Sequence, residues 1–322
     1  MRLWLAGCLG AALFVGSGPA APAQSYPTHP VRLVVPYAPG GVLDYSGRLL
    51  AKALGDRLGQ QVVVDNRPGA GGVIGTDTVV HAAADGYTLL LMDPALAVNP
   101  SLQKSVPYDV LNDLQPISMI NTSPLVAAVN AATPVTTIAA LISYAKAHPG
   151  GLTFGSAGVG TTPHMAGELF KLKTGTPLIH VAYKGIGPAI ADLIAGQIDL
   201  CFASITGALP HITDGKLRGL ATTGLRRSSA LPDLPTVAEA GVADFEVDLW
   251  LMLLAPARLP APLVERLNRE THEALTDRAV VEGFARVGAE PLPTSPEAAR
   301  TFLAAELGKW AQVVTAAHLQ AN

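Results

Sequence analysis

Two glycine-rich loops carry the chemistry that this chain's residue types allow. Ala38-Pro39-Gly40-Gly41 stands between an apolar run and a helical pattern, and "FGSAGVGTTPH", Phe154 to His164, repeats the arrangement far downstream. A helix start presents unpaired N–H groups and about half a positive charge. Glycine lets a ligand approach that backbone with no Cβ in the way. Each loop can therefore be an anion site. Each can equally be a tight turn, with Asp44 capping the first helix and Thr161 or Thr162 the second. Pro163 fits a first helical turn, where its missing N–H costs little. If both loops bind, two helix N-termini, one per half of the chain, face each other across a cleft and close on one anion.

Covalent and redox chemistry finds no matching constellation. The chain has no G-x-S-x-G elbow and no G-x-x-x-x-G-K-[ST] loop. Gly69-Ala-Gly71-Gly-Val-Ile74 and Gly158-Val-Gly160-Thr-Thr-Pro163 put isoleucine and proline where a dinucleotide fingerprint has its last glycine. His81, His148, His180, His211, His272 and His318 are scattered without zinc-ligand spacing, so neither metal nor cofactor is expected. His164 sits beside a candidate site, either as a packing or capping residue or as a ligand contact. Asp93, ending "LLLMD", falls where the C-terminal end of a parallel strand opens onto a cleft, as a helix cap or a pocket residue. Cys201, inside "DLCFAS", reads as a buried thiol.

The elements that must position these loops alternate. "VRLVVPY" reads as a strand, and "LDYSGRLLAKALGDRLG" as a helix in which Leu43, Leu49, Leu50, Ala53, Leu54 and Leu58 recur at helical spacing and Gly59 is the stop. Strand "QQVVVDN", a glycine turn, a helix near Thr76 to Ala84 and strand "GYTLLLMD" come next, and the alternation resumes from "PLVAAVN" to "LRGLATTG". Such order implies parallel strands joined by right-handed crossovers, and continuous apolar runs fit a sheet covered on both faces. "VDLWLMLLAPA" leads back to the first lobe and two amphipathic helices. The predicted fold is α/β with two lobes, residues 24–124 plus 249–322 and residues 125–248, and its two crossings form a hinge beside an interlobe cleft.

Composition narrows the function. The 322 residues suffice for two domains. With 49% hydrophobic and 15% charged residues the chain is globular, and a net charge of −3 offers no basic footprint for nucleic acid. Arg2, an apolar stretch from Leu3 to Val15 and Ala21-Pro22-Ala23 read as a secretory leader over residues 1–23, too short to span a bilayer. "LAGC" resembles a lipoprotein cleavage box but comes too early, so Cys8 is read as part of the leader.

An exported α/β chain carrying "PVRLVVPYAPGG", "VVVDNRPGAGG", "ADGYTLLL", "HVAYKGIGPA", "LPHITDGKLRGLA" and "LPDLPTVAEAG" in this order resembles the Bug (TctC-like) family, the periplasmic substrate-binding proteins of tripartite tricarboxylate transporters. The resemblance implies a type II periplasmic-binding fold that closes on an organic carboxylate and delivers it to membrane permease subunits, acting as a monomer without catalysis. Carried over, it marks Ala38, Pro39, Gly40, Gly41 and Asp44 in the first lobe. In the second it marks Ser156, Ala157, Gly158, Thr161, Thr162 and His164, with Tyr183, Lys184 and Gly185 bordering the cleft. Two departures stand out. Val42 and Leu43 occupy positions where the family commonly has small or hydroxylated residues, and Ala203 one where a polar residue is frequent. Val42 and Ala203 as pocket walls favour an aromatic or otherwise apolar body on the carboxylate; if Val42 only packs its helix, a small aliphatic di- or tricarboxylate remains. The rival readings are an exported hydrolase or transferase on a similar frame and a ligand-sensing partner of a signalling system.

Overall fold

The structure, a computed structural model, describes residues 26–320; the expected leader, with Cys8, lies outside the described residues. Among the described residues ten strands form one continuous curled sheet: β1 (Val31–Val35), β2 (Val62–Asn66), β3 (Thr88–Met92), β4 (Leu114–Asn130), β5 (Leu152–Ser156), β6 (Leu178–Ala182), β7 (Leu200–Ser204), β8 (Leu217–Thr222), β9 (Asp248–Pro256) and β10 (Glu290–Pro291). Eleven α-helices among the described residues cover it: α1 (Val42–Leu58), α2 (Val73–Val80), α3 (Ala95–Leu102), α4 (Val110–Asp113), α5 (Ile138–Ala147), α6 (Thr162–Thr174), α7 (Ile186–Ile194), α8 (Ile205–Thr213), α9 (Ala261–Leu275), α10 (Arg278–Ala285) and α11 (Pro296–Ala316).

The order β2-β1-β3-β9-β4-β7-β5-β6 separates into two lobes that share one strand. The first half of β4 pairs with β9 as far as Pro124↔Asp248, and from Leu125↔Ser204 onward it pairs with β7. Within each lobe the crossover strands are parallel as predicted, β1 with β2 and β3, and β5 with β6 and β7. The hinge strands are not. β9 runs antiparallel to both β3 and β4, and β8 antiparallel to β4, because none of these pairs is joined by a helical crossover.

The apolar runs become strands buried on both faces. In β1 only Arg32 keeps partial exposure, and all of β3 after Thr88 is buried. Three apolar clusters result: one under each lobe's outer helices, and a large one that runs from Val34 and Leu90 through Trp310 to Phe154 and Phe202. α11 carries this continuity, packing on α3 and β4 and reaching α6 of the second lobe. It is pinned by Glu306, whose Oε2 accepts hydrogen bonds from the indoles of Trp250 and Trp310, each at 2.9 Å. α1 ends at Gly59 in the left-handed conformation (φ 71°), the stop read from the sequence. α2 starts at Val73, earlier than the pattern suggested, because left-handed Gly72 (φ 95°) releases the chain there. Cys201 is fully buried, and burial pushes its thiol up to about 12.

Candidate functional site

A cavity of about 280 Å³ opens where the two lobes meet. Its floor is the hinge itself, Ser123 and Leu125 of β4 and Leu249 of β9. Its walls are helix starts. Val42 is the first residue of α1, Ala95 of α3 and Ile186 of α7; Thr161 and Ser204 are the N-cap residues of α6 and α8, and Thr162 and Thr206 lie in the first turns of those helices. At α1, α6, α7 and α8 no side chain caps the helix, so their first N–H groups are left for whatever enters. Five positive dipole ends therefore point at one small space. Among the described residues no Arg, Lys or His lines it. Leu125, Ile186, Leu249, Val287, Pro163 and Val42 make the rest of its surface largely apolar.

Of the residues singled out from the sequence, Val42, Asp93, Ala157, Thr161 and Thr162 line this cavity. The others shape it from outside. Ala38, Pro39, Gly40 and Gly41 form the exposed approach to Val42. Asp44 is not the N-cap of α1, which is Gly41; it lies in the first turn, 4% exposed. Its carboxylate accepts from Gly40 N at 2.9 Å, Asn66 Nδ2 at 3.0 Å and Arg48 Nε at 3.0 Å. Desolvation opposes its charge, but the hydrogen bonds from Arg48, Gly40 and Asn66 hold it below the usual carboxylate range. Asp44 thus fixes the loop that carries Val42.

The second loop is held from behind in the same way. Gly160 N donates to His164 Nδ1 at 3.1 Å, and His164, 1% exposed, stacks on His180 with ring centroids 3.8 Å apart. Burial pushes His164 down to about 3 and His180 to about 4, so both rings are neutral and His164 acts as an acceptor. Ser156 Oγ lies 2.6 Å from His180 Nε2 and accepts from Gly158 N at 3.1 Å. This resembles a nucleophile and its base, but Ser156 is fully buried and off the cavity, so no substrate reaches Oγ. Gly158 O accepts from Thr161 Oγ1 at 2.7 Å. Tyr183 turns away and donates to Asp192 at 2.7 Å, Lys184 is exposed, and Gly185 N donates to Ala157 O at 3.2 Å. Ala203 is fully buried in the cluster under α7 and α8; strand alternation sends it away from the cavity. The apolar wall expected from it is supplied by Leu125 and Ile186 instead.

Asp93 resolves its two readings by serving both. Oδ1 accepts from Ala95 N and from Tyr37 OH, each at 3.0 Å, and the side chain also lines the cavity. Desolvation raises it to about 6.

The pocket residues not foreseen come mostly from α3, α8 and the hinge. α3 and α8 each contain a proline, Pro100 and Pro210, which masks the helical pattern of those segments. Ser123 and Leu249 become pocket residues only because β4 and β9 cross beneath the cleft, a long-range fact. The signal that could have found Ser204 is local: a serine ending an apolar strand, with a helix start after it.

Two α/β lobes joined by paired hinge strands, closing on a cavity ringed by helix N-termini, define a two-lobed solute-binding receptor. The chain belongs to the family described as "Tripartite tricarboxylate transporter family receptor", which matches residues 47–319. It is 44% identical to Protein BugT of Bordetella pertussis over 302 residues, 92% of this chain and 93% of that one. Among solved structures it is similar to R. palustris Rpa4515 with adipate (35% identity, TM-score 0.77, covering 92% of this chain and 100% of that one). It is also similar to MatC (Rpa3494) from Rhodopseudomonas palustris with bound malate (29% identity, TM-score 0.72, 90% and 100%). The chain is accordingly a receptor and not an enzyme, which removes the hydrolase and transferase readings. No helix among the described residues is long and apolar enough to cross a membrane.

Proposed function

We propose that this receptor is exported, works as a monomer in the periplasm, closes its lobes on an organic carboxylate, and passes it to the permease of a tripartite tricarboxylate-type transporter. The observation that carries this reading is the convergence of five helix N-termini on one cavity without a cationic side chain. Backbone N–H groups and helix dipoles can hold a carboxylate there. The adipate and malate in related structures support the same class of ligand. Contacts are proposed from Val42, Ala157, Thr161 and Thr162, with Asp44, Gly158 and His164 acting through the loops they brace. The lobes are proposed as residues 24–124 with 249–322 and residues 125–248, a division supported over the described residues by the exchange of partners along β4. A hinge of two strands suits opening and closing.

The lining also supports a ligand with an apolar body. Val42, Leu125, Ile186 and Leu249 surround the space between the helix starts. Burying a ring-sized area of roughly 100 Å² there contributes about 2.5 kcal/mol. A thermal-shift panel of benzoate-type acids, short and medium dicarboxylates, citrate and acidic amino acids tests the proposal. A bound acid at a hundredfold excess over Kd stabilises by about 2.7 kcal/mol. A panel in which no carboxylate raises the melting temperature refutes the carboxylate reading. Stabilisation by succinate or citrate but by no aromatic acid refutes the apolar body alone.

A further inference from the structure

Asp93 introduces a negative group into a cavity built for an anion, and its geometry leaves half of its carboxylate uncommitted. Oδ1 takes two hydrogen bonds, from Tyr37 OH and Ala95 N. Oδ2 receives none from another residue among the described ones. Yet an ionised carboxylate has about four acceptor sites. The groups facing it are few. From the loop after β1 comes the Tyr37 hydroxyl, with Tyr108 behind it. β4, α6, α7, α8 and β9 line the cavity with no ionisable side chain among the described residues. No cation is at hand to neutralise a second negative charge beside Asp93, and two carboxylates sharing one site cannot both stay ionised without cost.

We propose that Asp93 is the specificity-determining residue of the site: its free oxygen accepts a proton-bearing group of the ligand, so the receptor selects carboxylates that carry a hydrogen-bond donor at their far end. This rests on the carboxylate reading above and deepens it. A terminal hydroxyl, amide N–H or ammonium satisfies Oδ2 directly. A second carboxyl satisfies it only as the acid, so a dicarboxylate binds with uptake of one proton, shared between its own oxygen and Oδ2. The raised proton affinity of Asp93 favours that uptake near neutral pH. An acid lacking a donor leaves Oδ2 buried beneath its apolar end, which costs more than the missing bond alone.

The test uses matched acids on two bodies: hexanoate, ω-hydroxyhexanoate and adipate, and benzoate, meta-hydroxybenzoate and isophthalate. On the body that binds, the hydroxy acid is expected to be tighter than the plain acid by about fivefold or more. The dicarboxylate is expected to tighten as pH falls from about 8 to about 6, with close to one proton taken up in calorimetry run in two buffers of different ionisation enthalpy. Asp93→Asn inverts the preference. Tyr37 and Ala95 keep the amide oxygen at the Oδ1 position, so the amide nitrogen faces the cavity as a donor. The variant should bind the dicarboxylate more tightly at about pH 8, without proton uptake, and lose its preference for the hydroxyl. The calorimetry on the unaltered protein decides the matter even if the variant does not fold. Dicarboxylate binding without proton uptake, or equal affinity for plain and hydroxy acids, overturns the role of Asp93 and leaves the carboxylate site standing. If no acid binds at all, both proposals fall together.

Discussion

Gly160 is where the two lobes touch beside the cavity, and replacing it tests whether closure governs affinity. Its φ is +78°, and a Cβ built there runs into Cδ2 of Leu102 at the end of α3. Gly160→Ala therefore carries two separable costs. The left-handed backbone penalty, about 1 kcal/mol for an L side chain, is present whether the lobes are open or closed. It lowers the melting temperature of the free protein. The clash with Leu102 exists only when the lobes meet, and overpacking of this kind costs about 1–3 kcal/mol. At 1.4 kcal/mol per decade this second cost raises Kd by about 5- to 150-fold. Leu102→Val removes the atom that the new methyl meets. The double variant should recover most of the lost affinity while keeping the lowered melting temperature. Calorimetric titration of all four proteins with the tightest carboxylate of the panel, alongside their thermal unfolding, measures both costs. A Kd unchanged within about twofold in a folded Gly160→Ala refutes closure at this contact. A loss that Leu102→Val does not relieve means that the methyl blocks the ligand itself rather than the lobes.

The bracing around the site and the core leads to three further outcomes. Arg48→Ala removes a half-exposed partner of Asp44 and should change Kd by less than about threefold, whereas Asp44→Ala releases Gly40 and Asn66 and should weaken binding at least tenfold; the reverse order in titration refutes backbone capture. His164 and His180, depressed to about 3 and about 4, should keep neutral ring signals in an NMR titration down to about pH 5, and a midpoint near 6 refutes their burial. Because the unfolded rings take up protons first, each of the two rings costs on the order of 3 kcal/mol of stability as pH falls from about 6.5 towards 4, a loss offset in large part by Asp93 and Asp248, which burial raises to about 6 and which are easier to protonate in the folded state. Glu306→Ala leaves the indoles of Trp250 and Trp310 without their shared acceptor and should cost about 3–5 kcal/mol in denaturant unfolding with little effect on ligand contacts; a loss below about 1 kcal/mol refutes its role in pinning α11.

The fold was legible where local pattern and tertiary role agree. The runs that became β1 and β3 are apolar because helices cover both faces, and α1 shows its buried face and its Gly59 stop in the letters alone. The two glycine loops were legible as helix starts for the same reason. Which atoms of those loops face the ligand was not. Asp44 and His164 have the right types and positions for ligand contact, yet each is consumed by the backbone next to it, Asp44 by Gly40 N and His164 by Gly160 N. Ala203 missed the cavity by one residue because a strand alternates its faces, and Ser204 took the place. The deeper gap is that a binding cavity between lobes is made by crossings. Ser123, Leu125 and Leu249 belong to strands far apart in sequence that pair antiparallel only because the chain returns through β9. Asp93 combines the local and the long-range cases in one side chain. Its place at the end of β3 was readable, and so was the choice between cap and pocket. That it does both, with one oxygen for the helix and one for the ligand, depends on Tyr37 approaching Oδ1 from the loop after β1. Specificity in such a receptor therefore rests less on a motif than on which polar atoms the braces leave unspent.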